Sequence, residues 1–297
     1  MDTEKTIPIT QENEDLLDGI CCLTGNNDNL SFILEYIEIT RHLQEIYQWY
    51  QIFNFNLNTL KSIAFSTDSI AINAITISLL SSGKNLIDSM DACMSHTYDK
   101  HSKQYKSFSE DILRNEYDSS FSYRFLTRLR NFSQHCHIPV SHHGDYPCFD
   151  LMQIYNTPHY HFNATLQTEV QALIEDVRNS NNDFLTLAIA PTVCAYTCSV
   201  YKIFKSFLSL IRIGLLEKQK NCIQTISDNP SITRHETHPE YDGLLFYQLD
   251  NSTEMVHCFD TTENPEALLI KWNNHVISAY KDEVKILKEI QKSSTPL

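Results

Sequence analysis

The stretch SSFSYRFLTRLRNFSQHC, residues 119–136, decides how this chain is read. At about 100° per residue, Phe121, Phe125, Leu129, Phe132 and Cys136 fall within an arc of about 80°. That is an apolar stripe of the width a core-facing helix needs. Arg124, Arg128, Asn131 and His135 fall on a neighbouring arc of about 60°, while Arg130 lies about 140° from His135. The spacing therefore predicts an amphipathic helix with a polar ridge beside its buried face. Asp118, Ser119 and Ser120 supply caps for its start, and Pro139 stops it.

Working outward, Thr67 to about Gln104 reads as a long helix capped by Thr67 or Asp68. Its first half, with Ile70, Ile72, Ile75, Leu79 and Leu80, is apolar nearly all round, as in a bundle core. Ser81-Ser82-Gly83 is expected to bend it, because glycine costs about 1 kcal/mol relative to alanine inside a helix. Residues 105–117 are expected to connect this helix to the one over 119–136, giving an antiparallel helical hairpin. Upstream, Ser31 to about Gln51 carries a helical stripe, and Asn54 to Asn58 is expected to break it. Downstream, Pro147–Tyr155 reads as a strand and Leu166–Arg178 as a helix. Phe184 to about Gln219 reads as an apolar helix with a break or start at Pro191. Leu244–Leu249 and Met255–Phe259 read as a hairpin, and Pro265 to about Gln291 as a final amphipathic helix.

The chain has 297 residues, 42% of them hydrophobic, with only 6 Gly and 9 Pro. Such a composition favours a packed, mostly helical protein with long elements. The expected class is mainly α with a small β part. A polar, acidic lead-in, loose or short-helical, covers 1–29, a helical bundle covers 30–140, and an α+β region covers 141–297.

The net charge of −14 excludes a protein that coats nucleic acid through its whole surface. The deficit is uneven: −7 over 1–65, 0 over 66–140 and −7 over 141–297. The neutral middle leaves room for a local cationic site. Nine cysteines without regular spacing read as free thiols in a reducing compartment, and the acidic N-terminus does not read as a signal peptide. Phe184–Tyr201 carries no charge, but Pro191 and its hydroxyl residues favour a buried core helix over a membrane span. The expected location is the cytoplasm, with no membrane association.

Arginine and histidine within reach of one another can cleave a phosphodiester without a metal. Histidine moves the proton, and arginine neutralises charge building on the phosphate. Arg130-Asn131-Phe132-Ser133-Gln134-His135 resembles the motif of the HEPN superfamily, in which an Arg followed by a polar residue precedes a His by four to six intervening positions. The resemblance covers about residues 66–140. It implies a helical bundle that dimerises and forms one metal-independent RNA-cleaving site where two motifs meet. Members commonly act as toxins or in defence against phage. By that resemblance Arg130 would stabilise the phosphate, Asn131 would orient it, and His135 would serve the 2′-hydroxyl or the leaving oxygen. Arg128 also satisfies the spacing, and the helical projection prefers it, so both arginines stand as candidates. The implied partners are RNA, a second copy of the chain and a regulatory or antitoxin partner, with no cofactor. The alternative from another class is a non-catalytic interaction protein whose bundle mediates dimerisation.

Residues 135–161 are rich in metal-ligand types: His135, Cys136, His137, His142, His143, Cys148, His159 and His161. They lack a Cys-x-x-Cys knuckle or a His-Glu-x-x-His helix, and polar loop histidines are the expected reading rather than zinc. Cys194 and Cys198 are expected to be small core residues. Tyr155, Tyr160 and His161 could stack on bases but are expected to pack. Neither a phosphate-binding glycine loop nor a Gly-x-Ser-x-Gly elbow occurs, so nucleotide-driven chemistry and elbow-type hydrolysis are not expected.

Overall fold

Helices dominate because long apolar-striped segments alternate with few turn residues. The computed structural model describes residues 6–8, 21–25, 27–64, 66–135, 137–144, 146–157, 164–179, 185–228, 233–234, 244–249, 254–260 and 265–293. In chain order the elements are β1 (Thr6–Pro8), β2 (Cys21–Gly25), α1 (Asn27–Ile63) and α2 (Ser69–Thr97). Then follow α3 (Lys103–Lys106), a π-helical stretch (Ser107–Arg114), α4 (Asn115–Ser119) and α5 (Phe121–His135). After these come β3 (Ser141–His143), β4 (Tyr146–Asp150), α6 (Leu151–Asn156), α7 (Ala164–Asn179), β5 (Thr186–Ala188) and α8 (Ile189–Asp228). The chain ends with β6 (Thr233–Arg234), β7 (Leu244–Leu249), β8 (Glu254–Asp260) and α9 (Pro265–Ser293).

The chain divides into two units, each built from separated segments. One comprises residues 1–44, 96–98 and 208–273; the other comprises 45–95, 99–207 and 274–297. The first holds a five-stranded sheet in the order β1-β8-β7-β2-β6, in which β2 runs parallel to β7 and the other pairs are antiparallel. The lead-in thus contributes strands rather than loose or short-helical chain, and these pair with the hairpin expected near the C-terminus. Within this unit Tyr98 Oη donates to the carbonyl of Leu210 at 2.8 Å, and the rings of His42 and His96 lie 5.3 Å apart.

The second unit contains the candidate site. Its core is aromatic: Phe53 on α1 meets Tyr196 and Tyr201 on α8, Tyr123 stacks on Tyr196, Phe125 meets Phe149, and Phe108 meets Phe207. A three-stranded antiparallel sheet, β3-β4-β5, covers one edge.

Several elements differ from the sequence expectation for physical reasons. Asn54–Asn58 does not break α1, because the asparagines find partners within the unit. Buried Asn56 donates to Ser82 Oγ at 3.1 Å, and Asn54 accepts from the Tyr201 hydroxyl. α2 runs unbroken through Gly83, which makes room for Tyr196, whose hydroxyl would lie 2.3 Å from a β-carbon there. The helix expected to run to Gln104 stops at Thr97, where Asp99 organises a turn by accepting from the His101 and Ser102 amides. The expected connection over 105–117 is helical. The strand expected over Pro147–Tyr155 ends at Asp150, whose carboxylate accepts from the Gln153 amide and starts α6. The apolar segment after Pro191 is a core helix, with Val193, Tyr196 and Val200 buried. Among the described residues one helix, α2, is long and apolar enough to cross a membrane; half of its apolar window is buried within the protein.

Candidate functional site

α5 starts where Ser120 Oγ accepts from the Tyr123 amide. It stops where the His137 amide reaches the Phe132 carbonyl at 3.4 Å. The chain beyond is tied down by Asn73 on α2, which donates to the Val140 carbonyl at 3.0 Å and accepts from the Val140 amide at 2.9 Å. Phe125, Leu129 and Phe132 are fully buried, as the apolar stripe requires, and Phe121 is half-buried. Cys136 lies outside the described residues.

The polar ridge divides along its length. Arg124 is 4% exposed and grips Glu169 of α7 through two contacts, at 2.6 and 2.8 Å. Its other terminal nitrogen donates to the carbonyls of Tyr117 and Asp118 at 2.6 and 2.5 Å. This arginine is a structural clip joining α4, α5 and α7. One turn on, Arg128 is half-buried; its Nε donates to Tyr117 Oη at 2.9 Å, and its guanidinium lies 5.9 Å from the Tyr117 ring centre. Asn131 is half-buried, and His135 at the C-terminal end is exposed. Arg128, Asn131 and His135 therefore form one row at steps of three and four residues.

Arg130 has a different environment. It is half-buried, and its Nε is shut off from solvent without a hydrogen-bond partner. Its charge acts on the fully buried Tyr196. Burial pushes the Tyr196 hydroxyl well above the usual phenol range, and the neighbouring Arg130 partly opposes that. Tyr123 is likewise driven up by burial, then by the negative neighbours around it.

Two residues that hold the site were not singled out from sequence. Tyr117 lies in the segment expected to be a connection, so it had no helical face to be placed on. Glu169 is distant in sequence from Arg124, and only its position on the helix over 166–178 was legible.

Among the described residues no group of three or more His, Cys, Asp or Glu side chains is placed to hold a metal ion. His142 is half-buried and His143 exposed on β3, and Cys148 is buried on β4. His159, Tyr160 and His161 lie outside the described residues, while Tyr155 is half-buried on α6.

On α8, Cys194 is buried and its thiol lies 3.2 Å from the Glu283 carbonyl and 3.3 Å from Glu283 Oε2. Glu283 also pairs with Lys61. A hydrogen bond with Cys198, then burial, then the Glu283 carboxylate push the Cys194 thiol up; the same thiol–thiol bond lowers that of Cys198. Comparison with family models, with curated proteins and with solved structures finds no match for this chain.

Proposed function

We propose that the chain is a metal-independent endoribonuclease of the HEPN type, with a HEPN-like bundle over about 30–140, acting as a homodimer in toxin or phage-defence biology. The observation that carries the reading is the row Arg128, Asn131, His135, with His135 exposed and Arg128 held by Tyr117. Arginine offers a planar, charged donor set for phosphate, and histidine a proton acceptor or donor. Arg128 is favoured over Arg130 as the phosphate-binding group, because the helical projection sets Arg128 beside His135 while the Arg130 Nε is shut off from solvent.

The same geometry argues for two copies. Arg128 and His135 are two helical turns apart, about 10 Å along the axis, and their side chains lean the same way. One copy does not bring both onto a single phosphate. Two ridges packed antiparallel about a two-fold axis would set His135 of each copy opposite Arg128 of the other. RNA is then the substrate, its 2′-hydroxyl being the nucleophile that His135 would serve, and a regulatory partner would restrain the active dimer.

The test is incubation of the purified protein with total RNA in EDTA, beside His135→Ala, Arg128→Ala and Arg130→Ala. The reading expects cleavage by wild type that His135→Ala and Arg128→Ala lose. Intact RNA with wild type, or equal cleavage by His135→Ala, sinks it. The second reading, a non-catalytic dimerisation protein, is favoured by a separate observation. Ile52 and Phe55, one turn apart on α1, are 44% and 69% exposed, as an interaction face would require.

A further inference from the structure

Away from the ridge on α5, the helix α1 is apolar on two sides. Ile46, Tyr50, Phe53, Leu57 and Leu60 are buried on one of them. On the other, Ile52 and Phe55 are exposed, with Trp49 half-buried at the edge. A helix that serves one core needs one apolar stripe, so a second one calls for a second partner.

Two features of this face bear on what covers it. The first is charge. α1 carries no charged residue between Glu45 and Lys61, in a chain of net charge −14. Two copies of so acidic a protein repel each other, and they meet most readily where neither presents charge. A recognition site for an acidic or basic partner would present charge of the opposite sign, and this stretch presents none. The second feature is symmetry. At about 100° per residue, Gln48, Ile52, Phe55 and Thr59 fall within an arc of about 60°. Reversing the helix exchanges Gln48 with Thr59 and Ile52 with Phe55, so the row reads polar, apolar, apolar, polar in both directions. That self-complementarity is what an isologous contact requires, where one patch serves both sides. Gln48, Gln51 and Asn58 are exposed around the apolar pair, and each amide both donates and accepts, so like can pair with like.

We infer that this face of α1 docks a second copy of the chain, antiparallel, about a two-fold axis midway between Ile52 and Phe55. Ile52 of each copy then packs against Phe55 of the other, and the amides close the rim. One helix face on each side is a small interface, so the association is reversible and depends on concentration. The inference deepens the dimerisation reading by placing its two-fold axis, and it does not rest on the ribonuclease reading.

The test is sedimentation of the full chain over a range of concentrations, with wild type beside Phe55→Glu and the double variant Ile52→Lys/Phe55→Glu. Phe55→Glu brings a carboxylate into the contact on both sides of the axis and should weaken association about tenfold or more. The double variant sets opposite charges across both contacts and should recover association, more at low salt than at high. A face that is merely sticky would not recover, because only the register of Ile52 on Phe55 pairs the two charges. A measurement on wild type alone guards against a variant that fails to fold: hydroxyl-radical oxidation of Phe55 should fall as protein concentration rises. Equal association of wild type and Phe55→Glu, or unchanged oxidation of Phe55, overturns the contact on α1 and leaves dimerisation through another face standing. A wild type that stays monomeric at every concentration overturns both and leaves the face to a different protein. His135→Ala should associate as wild type does, so a failure to cleave RNA bears on the ribonuclease reading alone.

Discussion

The two ends of α5 use the same chemistry in opposite ways. At its start, Arg124 is buried and its two terminal nitrogens are gripped by Glu169 and two backbone carbonyls, while its Nε is shut off without a partner, so its charge is spent on holding three helices together. Further along, His135 is exposed and Arg128 donates through its Nε to the Tyr117 hydroxyl. Tyr117 meets the Arg128 guanidinium with a hydroxyl and a ring, whereas Glu169 meets Arg124 with a carboxylate. Sign and position on the helix are similar; the partner separates clip from candidate site.

That contrast breaks most visibly at His135. In the ribonuclease reading His135→Ala should lower cleavage by about 10²–10⁴-fold, the usual size of a general acid–base contribution. Being an exposed helix-end residue, it should leave stability within about 0.5 kcal/mol, measured by urea unfolding. A large loss of stability instead would make His135 a second clip.

Arg124→Ala should show the reverse profile. It removes charged hydrogen bonds and leaves two carbonyls and Glu169 without their partner, a cost of about 2–3 kcal/mol in the same unfolding assay. Glu169 is 36% exposed and recovers part of its hydration, which keeps the figure below that of a wholly buried pair. Gly83→Ala should cost about 1–3 kcal/mol by overpacking, since Tyr196 is fully buried and has nowhere to retreat. Pairing Gly83→Ala with Tyr196→Phe should recover part of that loss in a double-mutant cycle, because the phenol oxygen makes the closest approach.

Tyr117→Phe is the finest probe. It keeps the ring beside Arg128 and deletes the acceptor, so stability should fall by about 1 kcal/mol or less. Cleavage should drop through kcat more than through KM, because a mispositioned guanidinium would fail the transition state before it failed binding. A cleavage rate unchanged from wild type would show that Arg128 needs no positioning.

The mainly helical class, the stripe on α5 and the cap at Asp68 were all legible, since each rests on spacing within one short segment. The misread segments needed a distant partner. Asn54 and Asn56 look like breakers until Tyr201 and Ser82 answer them. Arg124 looks like a ridge residue until Glu169 claims it. The helical projection placed Arg128 in the row with His135, and its hydrogen bond to the Tyr117 hydroxyl supplies what projection could not, namely how Arg128 is held. Arg130 is far from His135 in the projection, and in the structure it is half-buried with its charge acting on Tyr196.

The π-helical stretch Ser107–Arg114 bears on how the chain tolerates changes in its length. A π turn closes over one more residue than an α turn, so it absorbs a residue without rotating the helix on either side. Deleting exposed Glu110 should therefore let the stretch relax to α geometry while Phe108 stays against Phe207 and Tyr117 stays within reach of Arg128. The same deletion inside α5 has no such reserve. It would turn everything after it by about 100° and carry His135 off the row it shares with Arg128.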